Sequence, residues 1–148
     1  MPQRILQTAK RLGYSALFIL LAVCAPVYAG DILVNISAKQ ATAPVYLALV
    51  AADQQHWPAT PLLQVQAENG VALLTEVPPG RYAVQLYQDS NGNGQLDLSR
   101  RGIPLEPVGF SANPPLAKGK PTPLACLFVH GSGDTELHIE LYSARARR

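Results

Sequence analysis

Nine residues in the second half of the chain combine side-chain oxygens with glycines at a spacing that suits a hard cation: Asp89-Ser90-Asn91-Gly92-Asn93-Gly94-Gln95-Leu96-Asp97. If this loop curls, the oxygens at its first, third and fifth positions converge, and Gly94 at the sixth allows the sharp turn. Gln95 at the seventh offers its backbone carbonyl, and Asp97 at the ninth a carboxylate, directly or through water. Such an oxygen-only, adaptable cage is what Ca²⁺ takes. Mg²⁺, which demands a tight octahedron and keeps its waters, suits it less.

The pattern departs from an EF-hand loop in two ways. The twelfth position, where a bidentate Glu should close the cage, is Arg100, followed by Arg101. The flanks are also wrong, because strand-like residues 82–87 enter the loop where a helix should. A closing carboxylate must come from elsewhere, and Glu106 is the nearest candidate. The expected ligands are therefore Asp89, Asn91, Asn93, Gln95, Asp97 and Glu106, holding calcium weakly, with a dissociation constant on the order of 10⁻⁴ to 10⁻³ M. The same residues also read as a polar turn held by Asx hydrogen bonds with no metal.

Other chemistry-bearing residues are scattered. His56-Trp57-Pro58 reads as a loop aromatic over one end of the domain, or as a ligand platform. His130 and His138 lie eight residues apart, which is not metal-ligand spacing. Ser111 follows Gly109-Phe110 without the G-x-S-x-G frame of a nucleophile elbow. Paired catalytic carboxylates, a nucleophile–base pair and a phosphate loop are not visible. Cys126 sits in an apolar stretch, where a small buried hydrophobe is the usual role.

The elements that must position these residues alternate with period two. Glu136-Leu137-His138-Ile139-Glu140-Leu141 puts Leu137, Ile139 and Leu141 on one face and charges on the other. Residues 81–88 do the same less cleanly, with Tyr82, Val84 and Leu86 inward. Short apolar runs at 32–36, 45–50, 62–66, 71–77 and 125–130 are separated by turn clusters such as Glu68-Asn69-Gly70 and Gly131-Ser132-Gly133-Asp134. About seven short strands with turn signals between them predict an all-β fold, an antiparallel β-sandwich. Runs at helical period, which a parallel α/β sheet needs between strands, are missing. Pro78-Pro79-Gly80 reads as a rigid corner, with the prolines ending a strand and Gly80 supplying a positive φ. From Gly92 to about Thr122 alternation fades, and prolines crowd the segment. A connection this long without regular structure is usually functional or disordered.

The ends carry a different signal. Arg4, Lys10 and Arg11 precede an apolar run at 16–27, and Val27-Tyr28-Ala29 supplies a small-x-small cleavage pattern. Residues 1–29 thus read as a secretory signal, too short in their apolar part for a membrane span. A lipoprotein anchored through Cys24 is the alternative. Cleavage leaves 119 of the 148 residues: one domain over 30–142 and a basic tail over 143–148. With nine basic and ten acidic residues, the remainder carries a formal charge of −1, which argues against nucleic acid as a partner. Cys126 is then the only cysteine, so no intrachain disulfide forms. The expected location is periplasmic or secreted, with no transmembrane anchor after cleavage.

Three motifs in order, Pro78-Pro79-Gly80-Arg81-Tyr82-Ala83-Val84, the loop at 89–97, and Gly102-Ile103-Pro104-Leu105-Glu106-Pro107 with Gly109-Phe110-Ser111, resemble the exported bacterial family called domain of unknown function 2141. After Asn113 the chain departs from that family's pattern. The resemblance implies export and a sandwich, and leaves activity open. The proline corner and loop are also similar to transthyretin-like (prealbumin-like) sandwiches and to calcium-binding repeats of Gram-positive surface adhesins, an analogy of fold alone. The expectation is a non-enzymatic binding or structural module of the bacterial envelope. Its rivals are a hydrolase using Glu106 or His56, and a carrier whose sandwich holds a small apolar ligand.

Overall fold

A computed structural model describes residues 28–37 and 42–143. The expected signal core with Cys24 and most of the basic tail lie outside the described residues. Eight strands form: β1 (Gly30–Ser37), β2 (Val45–Ala51), β3 (Leu63–Ala67), β4 (Val71–Val77), β5 (Gly80–Gln88), β6 (Val108–Phe110), β7 (Phe128–His130) and β8 (Thr135–Glu140). One 3₁₀ turn spans Pro123–Cys126, where part of a strand was expected. Pro123 opens this turn and Thr122 caps it by accepting from Ala125 N–H, so the strand starts only at Phe128.

The strands make two sheets, one ordered β4-β1-β8 and the other β3-β2-β5-β6, with β7 also pairing β5. β6 takes Gln85 to Tyr87 of β5, and β7 takes Gly80 to Tyr82. All pairs are antiparallel except β1 with β8. The all-β sandwich read from the sequence thus holds, with one parallel pair within it. The first and last strands are joined through the whole domain, and a connection of that length allows a parallel pairing that no hairpin could make.

Period-two burial explains the two layers. Ile32, Val34 and Ile36 of β1, Leu47 and Leu49 of β2, Val84 and Leu86 of β5, and Ile139 in β8 meet between the sheets. Leu137 and Tyr82 pack on this core from its margin, while Glu136, His138 and Glu140 face water. A second, smaller core lies on the outer face of the larger sheet, where Val50, Ala83, Val108, Phe110 and Cys126 are covered by Trp57, Leu96, Leu116 and Leu127. β5 is thus covered on both faces, which is why its alternation is less clean than that of β8.

The corner between β4 and β5 carries the chain from one sheet to the other. Gly80 does not adopt a positive φ there; Glu76 does, at 55°. The glycine is needed for room instead. A Cβ at position 80 would sit 2.9 Å from the Tyr82 ring, whose hydroxyl donates to the Pro78 carbonyl at 2.8 Å. The prolines make the bend and the aromatic ring braces it.

Candidate functional site

The proline-containing segment after β5 is built rather than slack. Leu105 N–H donates to the Asp97 carbonyl at 2.9 Å and Ser99 N–H to the Ile103 carbonyl at 2.8 Å, so residues 97–105 double back with Arg100 and Arg101 at the tip. Pro104 faces Leu98 in a single antiparallel bridge. Gln88 N–H then bonds the Pro107 carbonyl at 2.9 Å and delivers the chain into β6. This return places Glu106 against the loop it follows.

Glu106 is 4% exposed. Its Oε1 accepts from Ser90 N–H at 2.8 Å and its Oε2 from Asp97 N–H at 3.2 Å, one near each end of the loop. Asp89, 1% exposed, fills the loop from inside: Oδ1 accepts from Gly92 N–H at 2.8 Å and Asn93 N–H at 3.2 Å, and Oδ2 from Gly94 N–H at 2.7 Å. Gly92 and Gly94 both stand at φ 75°, the left-handed conformation that turns these N–H groups inward. Five backbone donors are thereby aimed at two buried carboxylates.

The remaining expected ligands lie on the exposed side. Asn91 Oδ1 accepts from Asn93 N–H at 3.1 Å, and Asn93 Oδ1 from Gln95 N–H at 2.8 Å. Both Asn amide nitrogens donate to Asp97 Oδ2, at 2.6 Å and 3.1 Å. Asp89, Asn91, Asn93, Asp97 and Glu106 are therefore brought together in one hydrogen-bonded unit, and Gln95 joins it through its backbone N–H. The Asn oxygens turn to backbone donors rather than to a shared centre. Among the described residues no group of three or more His, Cys, Asp or Glu side chains stands as a metal cluster. Carboxylate oxygens with further lone pairs, amide oxygens and backbone carbonyls are the donor types a hard cation takes.

Tyr87 ties this unit to the sheet, donating its hydroxyl to the Gly94 carbonyl at 3.0 Å. Burial, then the nearby charges of Asp89, Tyr46 and Glu106, push its pKa up, so the donor stays protonated. No ion pair joins Arg100 or Arg101 to the loop carboxylates; the described ion pairs are Arg81–Asp53 and His138–Glu136.

The other candidates hold structure. Ser111 is buried, receives Val84 N–H at 2.9 Å and donates to the Cys126 carbonyl, which stitches β5 to the 3₁₀ turn. His130 is buried with Nδ1 2.7 Å from Thr135 Oγ1 and Nε2 3.0 Å from the Val77 carbonyl. Since a carbonyl only accepts, Nε2 donates to Val77. Trp57 donates to the Pro121 carbonyl at 2.7 Å and packs on Phe110, closing the second core, while His56 is exposed. Cys126 is fully buried, and burial raises its pKa to about 11 against the opposing pull of Lys120.

A large groove went unread in the sequence. It has a volume of about 870 Å³ and lies between the outer face of the β2–β5–β6 sheet and the segments at 58–61, 96–104 and 116–120. Apolar residues among the prolines, Leu96, Leu98, Ile103 and Leu116, were its available signal. Among the described residues no helix is long and apolar enough to cross a membrane.

A family model described as "Uncharacterized protein conserved in bacteria (DUF2141)" matches residues 34–138, more than half of the chain and well beyond Asn113. No curated protein matches the chain. Among solved structures, a pilus-presented adhesin, Spy0125 (Cpa), is 12% identical with a TM-score of 0.26, covering 80% of this chain. The chain spans 28% of that adhesin, and the likeness is too slight to bear on its fold.

Proposed function

This chain belongs to the bacterial family DUF2141, and from that premise we propose that it is an exported, non-enzymatic binding or structural module of the cell envelope, stiffened at its loop end by calcium. The observation that carries the reading is the pair of buried carboxylates, Asp89 and Glu106, which have five N–H donors and no cationic side chain as partner among the described residues. Backbone donors stabilise two buried carboxylates in one loop, and a positive charge between them stabilises them further. A divalent cation supplies that charge, and Asp89, Asn91, Asn93, Asp97 and Glu106 with the Gln95 carbonyl are the oxygens that would hold it. Glu106 takes the part of the missing twelfth-position carboxylate, reached through the fold instead of along the loop. The non-enzymatic reading rests on Ser111 and His130 being spent on backbone and neighbouring hydroxyl contacts.

The test is thermal melting in calcium and in chelator. An ion that binds the native state stabilises it by RT ln(1 + [Ca²⁺]/Kd), about 2.7 kcal/mol at a hundredfold excess over Kd. At a Kd on the order of 10⁻⁴ to 10⁻³ M, low-millimolar calcium gives a measurable rise and magnesium a smaller one. Identical melting in calcium and chelator removes the metal and leaves an Asx turn. Export is checked separately by the mass of protein from the envelope fraction, which should begin at Gly30; a chain starting at Met1, or a diacylated Cys24, overturns the soluble exported form.

A further inference from the structure

The groove beside the loop has a floor set by strand register. Tyr46 faces Tyr87, and Tyr87 faces Val108; one pair further along, Gln64 faces Ala48, Ala48 faces Gln85, and Gln85 faces Phe110. Ala48 is the smallest side chain in that second row, so the floor dips between two glutamines. The Tyr46 and Tyr87 rings, 5.4 Å apart, bound one side of the dip and Phe110 one end. Among the described residues the side-chain amides of Gln64 and Gln85 have no hydrogen-bond partner. Leu98 and Ile103, 54% and 49% exposed, form part of the wall on the returning segment. These two face the groove together with Leu96 and Leu116, and the volume falls in the roughly 300–1,000 Å³ range of small-molecule sites.

Charge selects the occupant. The lining contains Arg101 and Lys120 and no acidic residue. Among the described residues neither cation is paired with a carboxylate, and Lys120 Nζ lies 5.3 Å from the centre of the Trp57 ring. Partial burial lowers the Lys120 pKa, a sign that its ammonium is already partly removed from water.

We propose that this groove binds a small amphiphilic carboxylate, with its acyl or aryl body on the Tyr46–Ala48–Gln85–Phe110 floor and its charged end held by Arg101 and Lys120. A neutral hydrocarbon offers the Arg101 guanidinium and the Lys120 ammonium no acceptor, whereas a carboxylate accepts from both. The proposal goes beyond the envelope-module reading and does not need the ion, although Tyr87 and Leu96 connect the groove wall to the loop.

Decanoate and 1-decanol, titrated against an anilinonaphthalene sulfonate probe in chelator and again in calcium, test it on the purified protein. Decanoate should displace the probe in both conditions, with decanol at least about tenfold weaker, the discrimination worth one charge-assisted hydrogen bond. Ala48→Phe, which fills the dip, should weaken both ligands about tenfold or more. Ile103→Asp, on an exposed position of the wall, should weaken decanoate more than decanol, because both lose apolar wall and only the carboxylate meets a like charge. Replacing Arg101 and Lys120 together by Ala should bring the two ligands to equal affinity. Failure of decanoate to displace the probe, equal affinity for decanol in the wild type, or unchanged binding in Ile103→Asp overturns the proposal. A calcium-independent melting curve with intact decanoate binding would remove the metal alone.

Discussion

Glu106 Oε1 lies 2.8 Å from the backbone nitrogen of Ser90, across sixteen residues of chain. With the second oxygen on Asp97 N–H, a single buried side chain fixes both ends of the loop that its own segment leaves and returns to. A loop of this composition has many conformations in the unfolded chain, and closing it is entropically unfavourable. Charge-assisted bonds to a carboxylate are among the stronger hydrogen bonds that can offset this.

Removing that carboxylate should therefore act on the loop and the sheet together. Glu106→Ala leaves two N–H groups unsatisfied, each worth roughly 1–3 kcal/mol where water cannot reach, and should destabilise the protein by about 2–4 kcal/mol. Glu106→Gln keeps one acceptor and removes the charge, so it should cost less in stability while abolishing any calcium-dependent rise in melting temperature. Urea unfolding with and without calcium separates the two effects. Equal stability of Glu106→Ala and wild type would mean that solvent reaches both donors.

The C-terminal strand offers a cleaner test of the sandwich. Ile139 is 1% exposed between the sheets, while His138 points to water beside Glu136 at 3.6 Å. Ile139→Ala should cost about 2–5 kcal/mol as a large-to-small core change. His138→Ala should cost under about 0.5 kcal/mol, since an exposed pair contributes little. Similar losses at both positions in equilibrium unfolding would place β8 between two buried layers.

Most strands were legible because they face one core and one solvent layer. β8 shows this best, with polar and apolar residues alternating from Glu136 to Glu140. β6 was not legible. Its three residues, Val108, Gly109 and Phe110, are buried together, and a short run without alternation between prolines has no strand signature. The parallel β1–β8 pair was equally hidden, because partner choice between the first and last strands is written in no local pattern. The residues at 89–97 do come together as one neighbourhood, and Glu106, reached as the nearest acid after Arg100, joins them. What the spacing could not give is where the oxygens point, since the Asn91 and Asn93 amides answer to backbone donors that exist only once the turn has closed. The groove was missed for a related reason: its floor is made by register across four strands, and its wall by a segment whose prolines suggested slack chain.

Cys126 gives a pH dependence whose sign can be worked out. Its side chain is fully buried under the second core, and burial raises its pKa from the ordinary 9.0 to about 11. In the unfolded chain the thiol loses its proton near pH 9 while the native thiol keeps it, so the native state binds more protons between those values. Stability from this group is then complete below pH 9 and is lost as pH rises toward 11, at about 1.4 kcal/mol per pH unit, or roughly 2–3 kcal/mol in all. Tyr87 and Tyr142, both raised by burial first, push the same way above pH 10. Cys126→Ala isolates the thiol: the wild type's advantage over this variant, measured by urea unfolding at half-unit steps from pH 8 to 11, should shrink by about that amount. A thiol reagent at pH 8 should label native protein only at the rate of unfolding, because the site is closed to solvent and the thiolate is disfavoured there. Rapid labelling of the folded protein, or a wild-type advantage that stays constant across the pH range, would show that Cys126 opens to water and that the cover formed by Trp57, Leu116 and Leu127 is not closed.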